Sequence, residues 1–278
     1  MKKEKGVALF CALLLCLLAA CGDGEYNGPK KGASQGNTPA ETSSTVSTPA
    51  SLPEENDDLG LWEQAKIMDI NGETVTVLTE DTSLLAFAVP QDLSFDQDAL
   101  GTELKPGMTV HIGYDGIVQE TYPGQITVAC MEVNSYDDGL VSLYYELLAA
   151  LIDDEYGNWE ELQYLGFDFS GVESLTPEES QAIGWLFASS RGKEPLFGTI
   201  EDFADQGYIR KDGDSLIGWN DSAPGIAITV ATGDSTEASL KLEVEAWYGN
   251  LGAGWYEATA EKKNGQWTLG QLVQTAVS

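Results

Sequence analysis

The hydrophobic pattern of this 278-residue chain changes its period at Asp137-Asp138-Gly139. Upstream of this point, short apolar runs alternate with turn signals, which is typical of β-strands. Downstream, apolar residues recur at helical spacing from Leu140 to Leu151. Because sheets and helices each bury one face against another element, strands followed by helices and then more strands predict an α+β protein.

Residues 59–135 are predicted to form a small, closed or half-closed β-barrel with an OB-like arrangement. Asn71-Gly72 has the composition of a type I′ hairpin turn. The flanking strands offer Ile67, Val75 and Val77 as core candidates. Predicted strands cover residues 66–70, 74–78, 84–89, 108–114, 117–120 and 126–133.

Residues 139–278 are predicted to form helices packed on a curved antiparallel sheet. After the helix at Leu140–Leu151, the sequence Thr176-Pro177-Glu178-Glu179 is a capping box that begins a second helix, which Gly192 ends. A short third helix is expected at 199–207. Predicted strands cover residues 225–230, 238–247, 254–261 and 266–273. In the second of these, Leu240, Leu242 and Val244 alternate with charged residues, which predicts one buried and one solvated face.

The N-terminus has the pattern of a secretory signal over residues 1–20. Lys2, Lys3 and Lys5 precede an apolar run at 6–18. That run is shorter than the ~20 residues needed to span a bilayer. Leu18-Ala19-Ala20-Cys21 resembles the bacterial lipobox, which implies that Cys21 carries a diacylglyceryl group and becomes the mature N-terminus. An ordinary signal peptide cut near Ala20, with Cys21 unmodified, is the alternative.

The segment from residue 21 to residue 58 is predicted to be a disordered linker behind the lipidated cysteine. It consists mainly of Gly, Ser, Thr, Pro and Asn and lacks the large apolar residues that a core requires. A flexible chain of this length has a mean reach of about 35 Å. Gly22 stands where an aspartate would retain a Gram-negative lipoprotein at the inner membrane, so we expect a lipid anchor on the extracytoplasmic face of a Gram-positive cell membrane.

The charge and the reactive residues exclude several classes of function. The formal net charge is −31, and removal of residues 1–20 leaves −33, which argues against nucleic acid as a partner. Cys130 would be the only other cysteine after processing, so we expect no disulfide and interpret it as a buried small hydrophobe. His111 is the only histidine, which argues against Ser-His-Asp, Cys-His and the usual zinc chemistry.

Metal and cofactor signals are weak. Acidic pairs and triplets could supply oxygen ligands for Ca²⁺, but none has the spacing of a calcium loop, so solvated turns and helix ends are favoured. These runs are Asp137-Asp138, Asp153-Asp154-Glu155, Glu160-Glu161 and Asp212-Gly213-Asp214. The Gly249–Gly254 run lies between strands without a nearby Lys or Arg, which does not fit a phosphate-binding loop. No metal and no cofactor is therefore expected.

Aromatic residues flank that glycine-rich turn and are the candidate ligand pocket. Core packing explains aromatics on a half-buried sheet, but part of the set could line a pocket for a carbohydrate or an apolar ligand. The candidates are Trp247, Tyr248, Trp255 and Tyr256.

Two stretches resemble uncharacterised Gram-positive envelope lipoproteins. Lys105-Pro106-Gly107 through Gly116 to Tyr122-Pro123-Gly124-Gln125-Ile126 resembles their small extracytoplasmic barrels. Leu165-Gly166-Phe167-Asp168 through Gly207-Tyr208-Ile209 to the run at 247–254 resembles their C-terminal part. The order of helices and strands in that part looks like a cystatin or nuclear-transport-factor-like cone. The resemblance implies no activity.

These observations favour a membrane-anchored, non-catalytic binding or interaction module whose ligand is a cell-wall component or a protein. The alternative is a hydrolase or isomerase that uses carboxylates in a pocket of the C-terminal region. A filled interior would argue against the enzyme, whereas an open pocket lined by Trp247 or Trp255 with a buried acid would favour it. The sequence identifies no catalytic residue.

Overall fold

The computed structural model describes residues 60–95, 103–136, 138–155 and 161–278. Within them the protein is a mixed α+β structure in which strands predominate, as predicted. The predicted signal at 1–20, Cys21 and the linker to residue 58 lie outside the described residues, as does Asp137. All described residues belong to one compact unit, and the division into domains at 59–135 and 139–278 stays a prediction.

Seven strands form the first sheet, which curls into a half-barrel. They are β1 (Leu61–Asn71), β2 (Thr74–Thr79), β3 (Leu84–Ala88), β4 (Asp92–Phe95), β5 (Thr109–Tyr114), β6 (Gly124–Gln125) and β7 (Val128–Ser135). Their spatial order is β4-β7-β5-β1-β2-β3-β6. The core candidates Ile67, Val75 and Val77 are fully buried within it, which confirms them.

Two local predictions in this sheet are wrong. The β1–β2 turn has Gly72 and Glu73 as its central residues, and Gly72 has a φ of 61°. Positive φ at the first central position alone is the type II′ pattern rather than type I′. Residues 117–120 form a loop instead of a strand, in which only Gln119 bridges to Gln125. Ile117 and Val118 are exposed there, so these two apolar side chains do not pack into the core.

In the described ranges three α-helices follow, close to their predicted places: α1 (Leu140–Glu155), α2 (Pro177–Ser190) and α3 (Ile200–Asp205). The capping box of α2 is formed as predicted. The Glu179 backbone N–H donates to the Thr176 hydroxyl at 3.2 Å, and the Thr176 N–H donates to the Glu179 carboxylate at 2.9 Å. Gly192, with a φ of 66°, ends the helix in the left-handed conformation that glycine permits.

The second sheet has nine strands: β8 (Tyr164–Gly171), β9 (Glu194–Phe197), β10 (Ile209–Asp212), β11 (Ser215–Trp219), β12 (Gly225–Thr236), β13 (Ser239–Gly249), β14 (Gly252–Lys263), β15 (Gln266–Leu269) and β16 (Val273–Val277). It is mixed, which corrects the prediction of an antiparallel sheet. β8 runs parallel to both β12 and β9. The segment β8–α2–β9 is a crossover, because two parallel neighbours require a connection that returns over the sheet.

The two faces of the second sheet have different coverings. One face packs against α1 and α2 in the main core, which contains Leu242, Val244 and Ile228 and also takes in Met68 and Leu84 of the first sheet. The opposite face, called the outer face here, is covered near one end by α3 and the β10–β11 hairpin, in a smaller cluster. The predicted alternation along β13 is therefore confirmed.

Direct contacts join the first sheet to α2. Lys66 on β1 forms an ion pair with Glu179 at 2.5 Å, so one carboxylate both caps α2 and holds it to the sheet. Tyr122 meets Trp185 edge to face at 4.9 Å between ring centroids. None of the helices in the described ranges is long and apolar enough to cross a membrane.

Candidate functional site

A groove opens on the outer face of the second sheet, where α3 and the β10–β11 hairpin no longer cover it. Two rows of side chains across β12, β13, β14 and β16 form its floor. The strand registers place Thr229, Glu245, Trp255 and Ala276 in one row, and Ala231, Glu243, Glu257 and Val273 in the next. The lining also includes Thr275 on β16. We call this depression the outer groove.

The outer groove has a volume of about 450 Å³, within the range of small-molecule sites. Trp255 remains 36% exposed although it lies on a central part of β14. Trp255 and Glu245 are direct neighbours across β13 and β14. An aromatic surface and a carboxylate are therefore presented side by side.

The groove carries more negative than positive charge. Lys241 contacts Glu243 at 2.9 Å and Glu257 at 3.1 Å, so one ammonium serves two carboxylates. Glu245 does not take part in any of the ion pairs found in the described part of the chain. The nearby charge that acts on it is the carboxylate of Glu201 on α3.

Burial of Glu245 raises its pKa above the ordinary value of a glutamate. Desolvation is the largest cause; the neighbouring Trp255 side chain lowers the pKa, and the Glu201 carboxylate raises it. A carboxylate held in its charged form at this position costs the folded protein free energy at neutral pH.

Replacing Glu245 with glutamine is expected to stabilise the protein slightly at neutral pH. The folded chain holds this proton more tightly than the unfolded chain, so stability falls as pH rises through the pKa of Glu245. Glutamine removes the charge but keeps nearly the same size and shape. Because the site is partly solvated, the gain should be about 0.5 kcal/mol, and it should vanish below about pH 4.

Urea unfolding at pH 7 and pH 4 measures this difference. The control is Glu261→Gln on the same face of β14. Lys263 lowers the pKa of Glu261, so its replacement should destabilise at pH 7 instead. A loss of stability in Glu245→Gln at neutral pH would contradict the raised pKa.

The four aromatic candidates do not form one pocket. Trp255 lines the outer groove. Tyr256 is buried on the opposite face, in the main core, and its hydroxyl accepts from Gln274 at 3.0 Å. Trp247 is buried in the cluster under α3, beside Phe203. Tyr248 is exposed at the end of β13. Neighbours along a strand face opposite sides, which separates each Trp from the Tyr that follows it.

The space between the helices and the sheet is filled by the main core. Tyr144 of α1 is fully buried there, and its hydroxyl pairs with the Ser174 hydroxyl at 2.8 Å. In the described residues this packed core argues against a catalytic pocket between the helices and the sheet. The open pocket with Trp255 and a partly buried acid lies on the other side of the sheet, a place that the sequence analysis did not anticipate.

Two smaller depressions lie elsewhere. One, of about 280 Å³, is lined by Phe167, Phe169 and Phe197 where β9 ends beside β8. The other, of about 270 Å³, lies between the first sheet and α2 around the Lys66–Glu179 pair. In the second, the ammonium and the carboxylate already neutralise each other, so the depression offers less to a charged ligand than the outer groove does.

The other residues that the sequence analysis considered make contacts within the fold. The ring nitrogens of His111 lie 2.8 Å from the Asn134 amide and 3.3 Å from that of Gln64. Cys130 is partly buried rather than buried as predicted, because it lies on β7 beside the outermost strand, β4. Asp138 pairs with Lys262 at 2.6 Å and accepts from the Trp267 indole at 3.0 Å. No group of three or more acidic, His or Cys side chains in the described ranges is placed to hold a metal ion.

Comparison with known proteins adds no assignment: no family model, no curated protein and no solved structure matches this chain.

Proposed function

We propose that this chain is a lipid-anchored, extracytoplasmic binding protein of the cell envelope that holds its ligand in the outer groove. The N-terminal signal pattern and Cys21 support the proposed location on the membrane. The polar segment that follows them supports a tethered domain. The observation that carries the binding function is Trp255, which stays exposed in a 450 Å³ groove with Glu245 beside it. The ligand would be a cell-wall component or a protein.

We also propose a finer description of the fold. The curled first sheet would correspond to an OB-like barrel, and α1 and α2 on one face of the second sheet to a cystatin or nuclear-transport-factor-like cone. Half-barrel curvature supports the first, and the order of helices before the long β12–β13–β14 meander supports the second. Both are general scaffolds, so function depends on the site that each carries.

A hydrolase or isomerase is the second candidate, because the raised pKa of Glu245 suits a general acid or base. Such an enzyme needs a second reacting group across the groove. Glu243 and Glu257 are the nearest carboxylates on the floor, but both contact Lys241, which holds them as a structural ion-pair network. The binding function therefore needs fewer additional assumptions.

A thermal-shift screen of wall sugars, short peptides and Ca²⁺ tests the proposal on the full chain in detergent. A true ligand is expected to raise the melting temperature, because it binds only the folded state. The shift should be lost in Trp255→Ala and kept in Trp62→Ala, which removes a similarly exposed indole from the first sheet. An unchanged shift in Trp255→Ala would exclude the outer groove. Turnover of a hit that Glu245→Gln abolishes would favour the enzyme.

A further inference from the structure

Among the residues that the structure describes, no basic side chain pairs with Glu245 in the outer groove. Its neighbours across the sheet are Thr229 on β12 and Trp255 on β14, and neither is basic. Lys241 is engaged by Glu243 and Glu257. A cation entering beside Glu245 would therefore meet a carboxylate without a competing ammonium, and it would offset the repulsion from Glu201.

Trp255 gives this cation a second contact. The strand register sets the Trp255 indole next to the Glu245 carboxylate. The exposed part of the ring can then meet either a cation, through its π face, or the apolar chain that carries the cation. The groove thus offers charge and apolar contact within the reach of one side chain.

We infer that the outer groove binds an organic ammonium ion, a primary amine on an aliphatic chain, with Glu245 as the counter-charge and Trp255 as the contact for the chain. This inference rests on the proposed function of the groove as a ligand site. It adds the chemical class of the ligand and the role of each residue.

Other ligand classes fit these residues less well. An anion would be repelled by Glu243, Glu245 and Glu257. A neutral sugar could stack on Trp255, but it would leave the charge of Glu245 uncompensated. Ca²⁺ requires six to eight oxygen ligands, and the described residues hold no group of acidic side chains arranged for a metal.

A ligand-detected NMR titration of the full chain in detergent at low salt tests the inference. The probes are Nα-acetyl-lysine amide, cadaverine and the Nε-acetylated form of the lysine probe. The two amines distinguish a lysine side chain in a peptide from a free amine as the source of the ammonium. The Nε-acetylated probe keeps the aliphatic chain without the charge.

We expect both amines to bind and the Nε-acetylated probe to bind at least about tenfold more weakly, the ratio that 1.4 kcal/mol of binding free energy produces. Glu245→Gln should weaken amine binding by a similar factor. Glu261→Gln, on the same face but paired with Lys263, should leave it unchanged. Trp255→Ala should weaken both amines. Melting temperatures of all variants establish that each is folded.

Equal affinity for the free and acetylated probes, or unchanged amine binding in Glu245→Gln, would overturn the inference. If a neutral wall sugar binds in a Trp255-dependent way and the amines do not bind, the binding function stands and the ligand class is wrong. If no probe and no screened compound depends on Trp255, both the class and the proposed function fail.

Discussion

Replacing Cys21 with serine is expected to move the protein from the membrane fraction to the soluble extracellular fraction, or to block processing of the signal. In the proposed lipoprotein a thioether on Cys21 holds the diacylglyceryl group, and serine cannot form this bond. Each buried methylene of the acyl chains contributes about 0.8 kcal/mol to membrane binding, so the loss of two chains removes the anchor almost completely. Cell fractionation followed by mass determination of the mature N-terminus measures the outcome.

The matched control for this prediction is Cys130→Ser. Cys130 is the other cysteine outside residues 1–20 and lies on β7 of the first sheet, so its replacement should leave the protein on the membrane. A Cys21→Ser variant that is cleaved and still fully membrane-associated would show that the resemblance to a lipobox is misleading.

Phe167→Ala is expected to cost about 3–5 kcal/mol of unfolding free energy, the typical loss when a buried phenylalanine is truncated. Phe167 is 1% exposed at the centre of β8. Its ring meets Phe187 of α2 edge to face and lies 6.0 Å from the ring of Phe197 on β9. Loss of this ring would leave a cavity between the sheet and α2.

Urea unfolding with Phe169→Ala as the control tests this prediction. Phe169 lies two residues further along β8 and stacks on Phe167 at 5.6 Å, but it is only half-buried. Its removal should cost clearly less than the removal of Phe167. Equal losses in the two variants would mean that Phe167 does not hold α2 and β9 to the sheet.

Sequence patterns predicted the elements that depend only on residues close to one another in the chain. Thr176 and Glu179, for example, form their capping box within four residues. In contrast, the predicted strand at 266–273 is two strands, β15 and β16. Gly270 lies between them, where a Cβ atom would come within 2.6 Å of the Thr259 carbonyl oxygen on β14. That approach depends on a partner strand that the pattern does not show.

The sequence analysis missed β8 although Leu165, Phe167 and Phe169 alternate with small or polar residues. This period of two could have identified the strand. Its parallel pairing with β12 could not be predicted locally, because the two strands meet only after α2, β9 and α3 have been placed. The parallel neighbours of β8 are also the reason why the sheet is mixed.

The candidate site was only partly predictable. Trp255 was named for its place near a glycine-rich turn, and it does line the outer groove. Glu245 is one of the charged residues predicted on the solvated face of β13. Its role in the candidate site depends on the strand register that sets it beside Trp255. The position of α3, which covers Trp247 and leaves Trp255 exposed, is a tertiary arrangement.

The parallel pairing of β8 with β12 also has a kinetic consequence. The meander β12–β13–β14 can form through local hairpins, which take about 1–10 μs each. β8 joins it only after closure of a loop of about 60 residues, so we expect this docking to limit the rate of folding. Until then one edge of β12 has no neighbour, and unfinished chains could pair there with one another. The docking of β8 therefore closes an edge that would otherwise favour aggregation.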